Sequence, residues 1–181
     1  MKSTRYEYMM KMGKWLKKNQ YPNNDLLEIS GETKEWHKFF TNITTAFYPQ
    51  VDAHDLPYDD ESFDCVVLNQ VLEHVKKPWV VVEEARRVLR KDGIIIMCSP
   101  FFYQVHDYPA DYWRFTVDGL EQLCENFSEI LLKERSGNKN MIHHMLDNPK
   151  DRKSPQFKSV EYLPYVSQDL YYVKSLLVAK K

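Results

Sequence analysis

The chain of 181 residues is 43% hydrophobic and has a formal net charge of -1 at pH 7. That length supports one sizeable hydrophobic core and gives no reason to expect a second. A near-neutral chain lacks the overall positive charge by which proteins bind phosphate backbones, so a nucleic-acid substrate is not expected.

Cysteine usage and hydropathy favour a cytoplasmic protein. Cys65, Cys98 and Cys124 are scattered within apolar segments without metal-ligand spacing, which is typical of reduced, packed thiols. The N-terminus is charged from Lys2 onward, and a Ser-Pro pair interrupts the longest apolar stretch, residues 94–105. We therefore expect neither a secretory signal peptide nor a membrane-spanning helix.

The first 24 residues predict a separate N-terminal element, a basic amphipathic helix. Methionine, tryptophan and leucine side chains alternate with lysines over residues 3–18, and the pattern breaks at residues 21–24. Two interpretations remain open. The helix packs over one end of the following domain, or it acts as a lid on a ligand pocket or as a weak anchor on an anionic membrane surface.

Residues 51–100 contain a complete strand, helix and strand. Residues 65–68 form a short β-branched run typical of a strand buried on both faces. Residues 78–90 place apolar side chains at helical spacing, with a proline in the first turn and Gly93 just past the end. Residues 94–98 predict a second buried strand. The unit indicates a right-handed βαβ crossover in a parallel sheet.

Further elements are predicted on both sides of this unit. Residues 25–29 and 43–49 predict two strands, and the connection from the second of them to Asp52 is too short for a helix. Thr116 is a suitable cap for a helix over residues 117–126. Two later strands are expected at residues 128–133 and 170–179, with a polar insertion at about 134–164 between them.

Several spaced motifs, in order, carry a resemblance to a known family. Asp52 to Tyr58 reads DAHDLPY, Asn69 to His74 reads NQVLEH, and the predicted helix ends in RVLRKDG. This arrangement resembles the central half of class I S-adenosylmethionine-dependent methyltransferases, most closely those of the UbiE and type 11 kind. The resemblance covers roughly residues 26–127. It implies a single α/β domain over residues 25–181, with a Rossmann-like, seven-stranded and mostly parallel sheet reduced at its second crossover.

The resemblance implies that S-adenosylmethionine is the cofactor and that seven residues bind it. Glu28 and Gly31 are expected at the methionine end of the cofactor, and Asn69 and Gln70 beside its methyl group. Asp52, Ala53 and Leu56 are expected around the adenosine. The chain departs from the family at two points. The turn after Glu28 keeps one glycine where the family usually has two or three, and Gln50 stands where a carboxylate normally accepts the ribose hydroxyls.

The segment 99–116 is rich in aromatic and charged residues and is the expected acceptor side of the pocket. Tyr103, Tyr112, Trp113 and Arg114 are the candidate acceptor-binding residues. His106 is the candidate catalytic base, because a histidine titrates near neutral pH. An alternative with equal standing is an ion pair between Asp111 and Arg114 that fixes an aromatic loop onto the sheet.

These features together favour methyl transfer from S-adenosylmethionine to a small-molecule acceptor. The alternative is a catalytically inactive binding or regulatory subunit, and a homo-oligomer or a protein partner is left open. No metal is expected, because the adjacent pair His143 and His144 point in different directions and no carboxylate or cysteine near them completes a ligand set.

Overall fold

The computed structural model describes residues 4–21, 24–31, 34–106, 110–136 and 174–181. The predicted insertion at about 134–164 therefore lies outside the described residues beyond Ser136, as does the pair His143 and His144. In chain order, the helices and strands are α1 Thr4–Lys18, β1 Asp25–Ile29, β2 Asn42–Ala46, β3 Phe63–Asn69, α2 Pro78–Val88, β4 Leu89–Pro100, α3 Val117–Gln122, β5 Glu129–Ser136 and β6 Lys174–Lys180.

The described strands form one six-stranded sheet in the order β2-β1-β3-β4-β6-β5. The pairs β1–β2, β1–β3 and β3–β4 are parallel, whereas β6 runs antiparallel to β4 and β5. The predicted α/β architecture with a mostly parallel sheet is thus confirmed. A seventh strand is not found among the described residues, and residues 47–62 form turns without a helix.

Strand β4 begins earlier than the sequence pattern predicted. Leu89 already pairs with Phe63, so Gly93 lies inside the strand and not after the end of a helix. The register then shifts, and Asp92 adopts a positive φ of 63° within the irregularity. Arg90 lies in the same irregularity and donates hydrogen bonds to two aspartates at the amino ends of neighbouring strands. Pairing with β3 therefore overrides continuation of the helix.

Alternate residues of the strands feed two hydrophobic clusters, one on each face of the sheet. Leu27 and Ile29 of β1 lie in the cluster that α2 and α3 cover. Leu26 lies in the other cluster, with Met12 and Leu16 of α1. Three aromatic side chains of that second cluster come from the 3₁₀ helix Lys34–Lys38 and the turn after it: Trp36, Phe39 and Phe40.

Within the described ranges, no helix is long and apolar enough to cross a membrane.

Candidate functional site

The carboxyl ends of the four parallel strands meet at one edge of the sheet. Ile29 at the end of β1 is in register with Ala46 at the end of β2 and with Leu68 of β3. Asn69 at the end of β3 is in register with Cys98 of β4. In open α/β sheets ligands bind at this edge, and most of the predicted site residues lie on the segments that leave it.

The turn after β1 combines a left-handed residue with a buried carboxylate. Ser30 has a positive φ of 56°, a conformation that favours glycine, and Gly31 after it is buried. Glu28 is fully buried, and its Oε1 accepts a hydrogen bond of 3.3 Å from Nε1 of Trp36, which is also fully buried. Glu28 therefore points into the protein interior, and its hydrogen bond with Trp36 was not predicted from the sequence.

The turn that carries Asp52 presents an exposed carboxylate above buried apolar side chains. The Asp52 side chain is 58% exposed. The backbone amide of His54, 2.9 Å away, and then its ring hold the pKa of the Asp52 carboxyl below its usual value. Ala53 and Leu56 are buried in the same cluster as Ile29. The turn is thereby anchored with its carboxylate accessible to a ligand.

Two charged residues of α2 hold this turn in place, and the sequence analysis did not single them out. Glu84 accepts a hydrogen bond of 3.0 Å from the backbone amide of Leu56. Arg87 donates to the backbone carbonyls of Leu56 and Tyr58 and to the carboxylates of Glu84 and Asp60, at 2.7 to 2.9 Å. A charged residue on the polar face of a helix reads as solvent-exposed, so only the fold reveals this role.

Asn69 and Gln70 differ in how well their amide groups are satisfied. Asn69 is only 3% exposed, and its Nδ2 has no hydrogen-bond partner within the part of the chain that the structure describes. Gln70 has a positive φ of 60°, its backbone amide donates to the carbonyl of Cys98 at 2.8 Å, and its side chain reaches the same carbonyl at 3.4 Å. Asn69 is thus a buried donor at the edge where ligands bind.

Glu73, in the 3₁₀ helix Leu72–His74 after β3, is fully buried next to this edge. Burial raises the pKa of its carboxyl to about 7, and the charge of Asp111 adds to that increase. Ser99 Oγ donates to Glu73 Oε2 at 3.4 Å. His74 and His106 flank the carboxylate, with their ring centroids 4.8 Å apart in an edge-to-face arrangement.

The loop after β4 is held by the ion pair that was one of the two alternatives predicted for it. Arg114 binds both carboxylate oxygens of Asp111 and donates to the backbone carbonyls of Tyr103 and Gln104. The guanidinium holds the pKa of the Asp111 carboxyl well below its usual range. Through these hydrogen bonds Arg114 holds the loop in place.

The three aromatic candidates in this loop have different environments. Tyr103 packs edge-to-face on the ring of His106, with ring centroids 5.2 Å apart. Trp113 is half-buried, and its Nε1 donates to the carbonyl of Val75 at 2.8 Å. The side chain of Tyr112 is exposed, although its backbone amide is bonded to the carbonyl of Glu73. Of these three candidates, Tyr103 is therefore the one shown in ring contact with the histidine pair.

Several proteins with related sequences are named as methyltransferases. The family model described as a methyltransferase domain matches residues 17–97. Ubiquinone biosynthesis O-methyltransferase of Neisseria meningitidis serogroup A is 28% identical over 94 residues, which are 51% of this chain and 37% of that protein. Demethylmenaquinone methyltransferase of Clavibacter sepedonicus is 41% identical over 52 residues, which are 29% of this chain and 21% of that protein. The chain thus spans well under half the length of these relatives.

Solved structures agree on the fold. A methyltransferase from Archaeoglobus fulgidus, described as dependent on S-adenosylmethionine, superposes with a TM-score of 0.53 at 12% identity, over 94% of this chain and 93% of that one. The mostly parallel sheet with antiparallel β6 therefore defines a class I methyltransferase fold. The chain thus shares the class I methyltransferase fold, and its residues 17–97 match the methyltransferase-domain model.

Proposed function

We propose that this chain transfers a methyl group from S-adenosylmethionine to a small-molecule acceptor. The observation that carries the proposal is the buried amide of Asn69 at the carboxyl end of β3, inside the segment that matches the family. A buried donor without an acceptor costs about 1–3 kcal/mol, which a bound ligand relieves. The site's Asn69 amide therefore fits a polar ligand at this edge.

The residues of the two nearby turns fit the cofactor's separate parts. The exposed Asp52 carboxylate is suited to accept the adenine amino group, and the apolar walls of Ala53 and Leu56 border the base. Gly31 lets the backbone approach the methionine end, where Glu28 supports the turn through Trp36. Asn69 and Gln70 then lie beside the methyl group that the cofactor supplies.

The acceptor side is the loop held by Asp111 and Arg114. Tyr103, Tyr112 and Trp113 offer aromatic surface for an apolar acceptor, and Arg114 keeps the loop on the sheet. Methyl transfer depends above all on alignment of acceptor and methyl group, which a rigid loop provides. His106, 29% exposed in its side chain, is the residue of this loop that activates the acceptor.

Calorimetric titration with S-adenosylmethionine and S-adenosylhomocysteine tests the proposal. We expect micromolar binding, roughly -8 kcal/mol, because the preformed turns need little rearrangement. Asp52→Ala should weaken binding at least about tenfold, since one charge-assisted hydrogen bond contributes roughly 1.5–3 kcal/mol. Asp59→Ala is the matched control, because Asp59 is an exposed aspartate of the same connection and should leave binding unchanged.

Absence of binding by either compound at millimolar concentration would overturn the proposal. The chain would then be better described as a binding or regulatory subunit built on a methyltransferase fold, and a protein partner would be sought. Binding that Asp52→Ala leaves unchanged would retain the cofactor but move the adenine contact to another residue.

A further inference from the structure

Three potential metal ligands from two segments converge at the carboxyl edge of the sheet. Glu73 and His74 belong to the 3₁₀ helix Leu72–His74 after β3, and His106 belongs to the loop after β4. Nε2 of His74 and Nε2 of His106 each lie 3.8 Å from Glu73 Oε1. One ligand atom from each of the three residues lies within 4.8 Å of the other two. We infer that Glu73, His74 and His106 form a binding site for a divalent transition-metal ion.

The hydrogen bonds of the two histidines direct lone pairs into the cluster. Nδ1 of His74 contacts the backbone carbonyl of Ala110, which can only accept, so that nitrogen is the protonated one. Nδ1 of His106 lies 3.1 Å from Asp111 Oδ2 and 3.3 Å from the carbonyl of Gln104, both acceptors. A ring whose proton is on Nδ1 leaves the lone pair of Nε2 facing Glu73 Oε1. Metal-binding histidines are oriented by this kind of outer hydrogen bond.

The environment of the Glu73 carboxyl group is a second observation that points to a bound cation. Its side chain is fully buried, and Oε1 has no hydrogen-bond partner among the described residues. The nearest charges outside the cluster, Asp111 and Arg114, neutralise each other through their ion pair. One ligand atom from each of the three residues thus faces the others around this buried carboxyl group. A cation at their centre resolves that arrangement.

The donor set and its geometry fit a catalytic type of metal site. Two imidazole nitrogens and one carboxylate oxygen are a common set for zinc and for non-haem iron, and they leave coordination positions open. Tetrahedral ligands at about 2.0–2.1 Å from an ion lie about 3.4 Å from each other. The two separations from Glu73 Oε1 are 3.8 Å, and all three ligand atoms lie within 4.8 Å of one another, so binding an ion requires the side chains to rotate inward.

An ion at this position would change the role of His106. Its Nε2 would be a ligand and not a base, and the ion would hold the acceptor's oxygen and lower that group's pKa. This catalytic role rests on the proposed methyl transfer. The metal site itself does not, because it is built from the protein's own side chains.

Metal binding by the full chain, stripped with a chelator, tests the inference directly. Zn²⁺ is titrated by calorimetry, and Co²⁺ is added as a spectroscopic probe whose visible absorption reports nitrogen and oxygen ligation. We expect one Zn²⁺ site per chain. Glu73→Gln and His106→Gln should each weaken Zn²⁺ binding by at least about 100-fold, because loss of a direct ligand should cost at least as much as loss of an outer-shell residue. Zn²⁺ should also raise the melting temperature of the parent chain and not of Glu73→Gln.

Two matched controls separate this site from adventitious histidine binding. The double variant His143→Gln and His144→Gln removes the adjacent pair, and His37→Gln removes an exposed histidine of the 3₁₀ helix Lys34–Lys38. Both should bind Zn²⁺ like the parent chain. Equal affinity in Glu73→Gln and the parent chain, or loss of binding in either control, would overturn the inference. The readout is independent of S-adenosylmethionine, so failure of the cofactor titration leaves it interpretable.

Discussion

Single buried polar contacts connect the functional edge to the core. Glu28 and Trp36 are both fully buried, and in the chain they lie before and after the turn that holds Ser30 and Gly31. The Trp36 ring also packs edge-to-face against Phe39 and Phe40 of the second core cluster. A residue that looks like a cofactor ligand in the sequence is thereby also part of the packing of the sheet.

Trp36→Phe tests the hydrogen bond between Trp36 and Glu28. Phenylalanine keeps an aromatic ring in the core but cannot donate to Glu28 Oε1. We expect the free energy of unfolding, measured by urea denaturation, to fall by about 1–3 kcal/mol because the Trp36 hydrogen bond and part of the ring volume are lost. Trp79→Phe, at a tryptophan that is 51% exposed, should change it by less than about 0.5 kcal/mol. Equal losses in both variants would contradict the assignment.

Helix α1 packs against the aromatic ring of Phe39 through Gly13. Gly13 lies directly over the Phe39 ring, and a Cβ atom built at Gly13 would be 2.3 Å from two of the ring carbons. Lys17, one turn later, places its Nζ 5.5 Å from the centroid of the same ring. The glycine is therefore explained by contact between elements and not by the helix's own preference.

Gly13→Ala is expected to destabilise the protein although it favours helix formation. Alanine improves intrinsic helix propensity by about 1 kcal/mol, whereas overpacking a buried ring costs typically about 1–3 kcal/mol. Thermal unfolding should show a lower melting temperature than that of the parent chain. Lys14→Ala, at the next and exposed position of the same helix, is the control and should leave the melting temperature close to that of the parent. A stabilised Gly13→Ala would mean that α1 does not dock as described.

Across the whole molecule, the ion-pair network of Arg90 and the candidate site occupy different ends of the parallel strands. Arg90 joins Asp25 and Asp64 at the amino ends, whereas Asn69 and Glu73 lie at or just beyond the carboxyl end of β3. The network of Arg87 links α2 to the connection between β2 and β3. Because the connection contains no helix of its own, these contacts with α2 hold it in place.

Acid should therefore destabilise the molecule through this network. Arg87 holds the pKa of the Glu84 carboxyl below its usual value of 4.5, so the ionised form is favoured in the native state. Its contribution is present above pH 4.5 and is lost as the pH falls through the lowered native pKa. Urea denaturation at pH 7, 4 and 3 should show a smaller loss of unfolding free energy for Glu84→Gln than for the parent chain. Asp59→Asn, a change at an exposed carboxylate, should follow the parent.

Local patterns in the sequence were sufficient for the strands and helices at the centre of the fold. The apolar run of β3 and the helical spacing of α2 are set by residues close together in the chain, so periodicity predicts them. The ends of elements were less predictable. Gly93 resembles a residue that ends a helix, but pairing of Leu89 with Phe63 made it part of a strand.

The sequence by itself determined the class of fold, and it placed most of the candidate residues at strand ends, because those ends follow from local pattern. Only the tertiary structure decided which side chains meet. Glu73 and His106 are 33 positions apart, yet their side chains are 3.8 Å apart, since parallel strands bring their carboxyl ends to one edge. Likewise, Arg114 braces the loop because it also donates to the backbone carbonyls of Tyr103 and Gln104. The Glu28 carboxylate accepts a hydrogen bond from the buried Trp36 ring. Contacts between distant segments depend on packing, which no local pattern encodes.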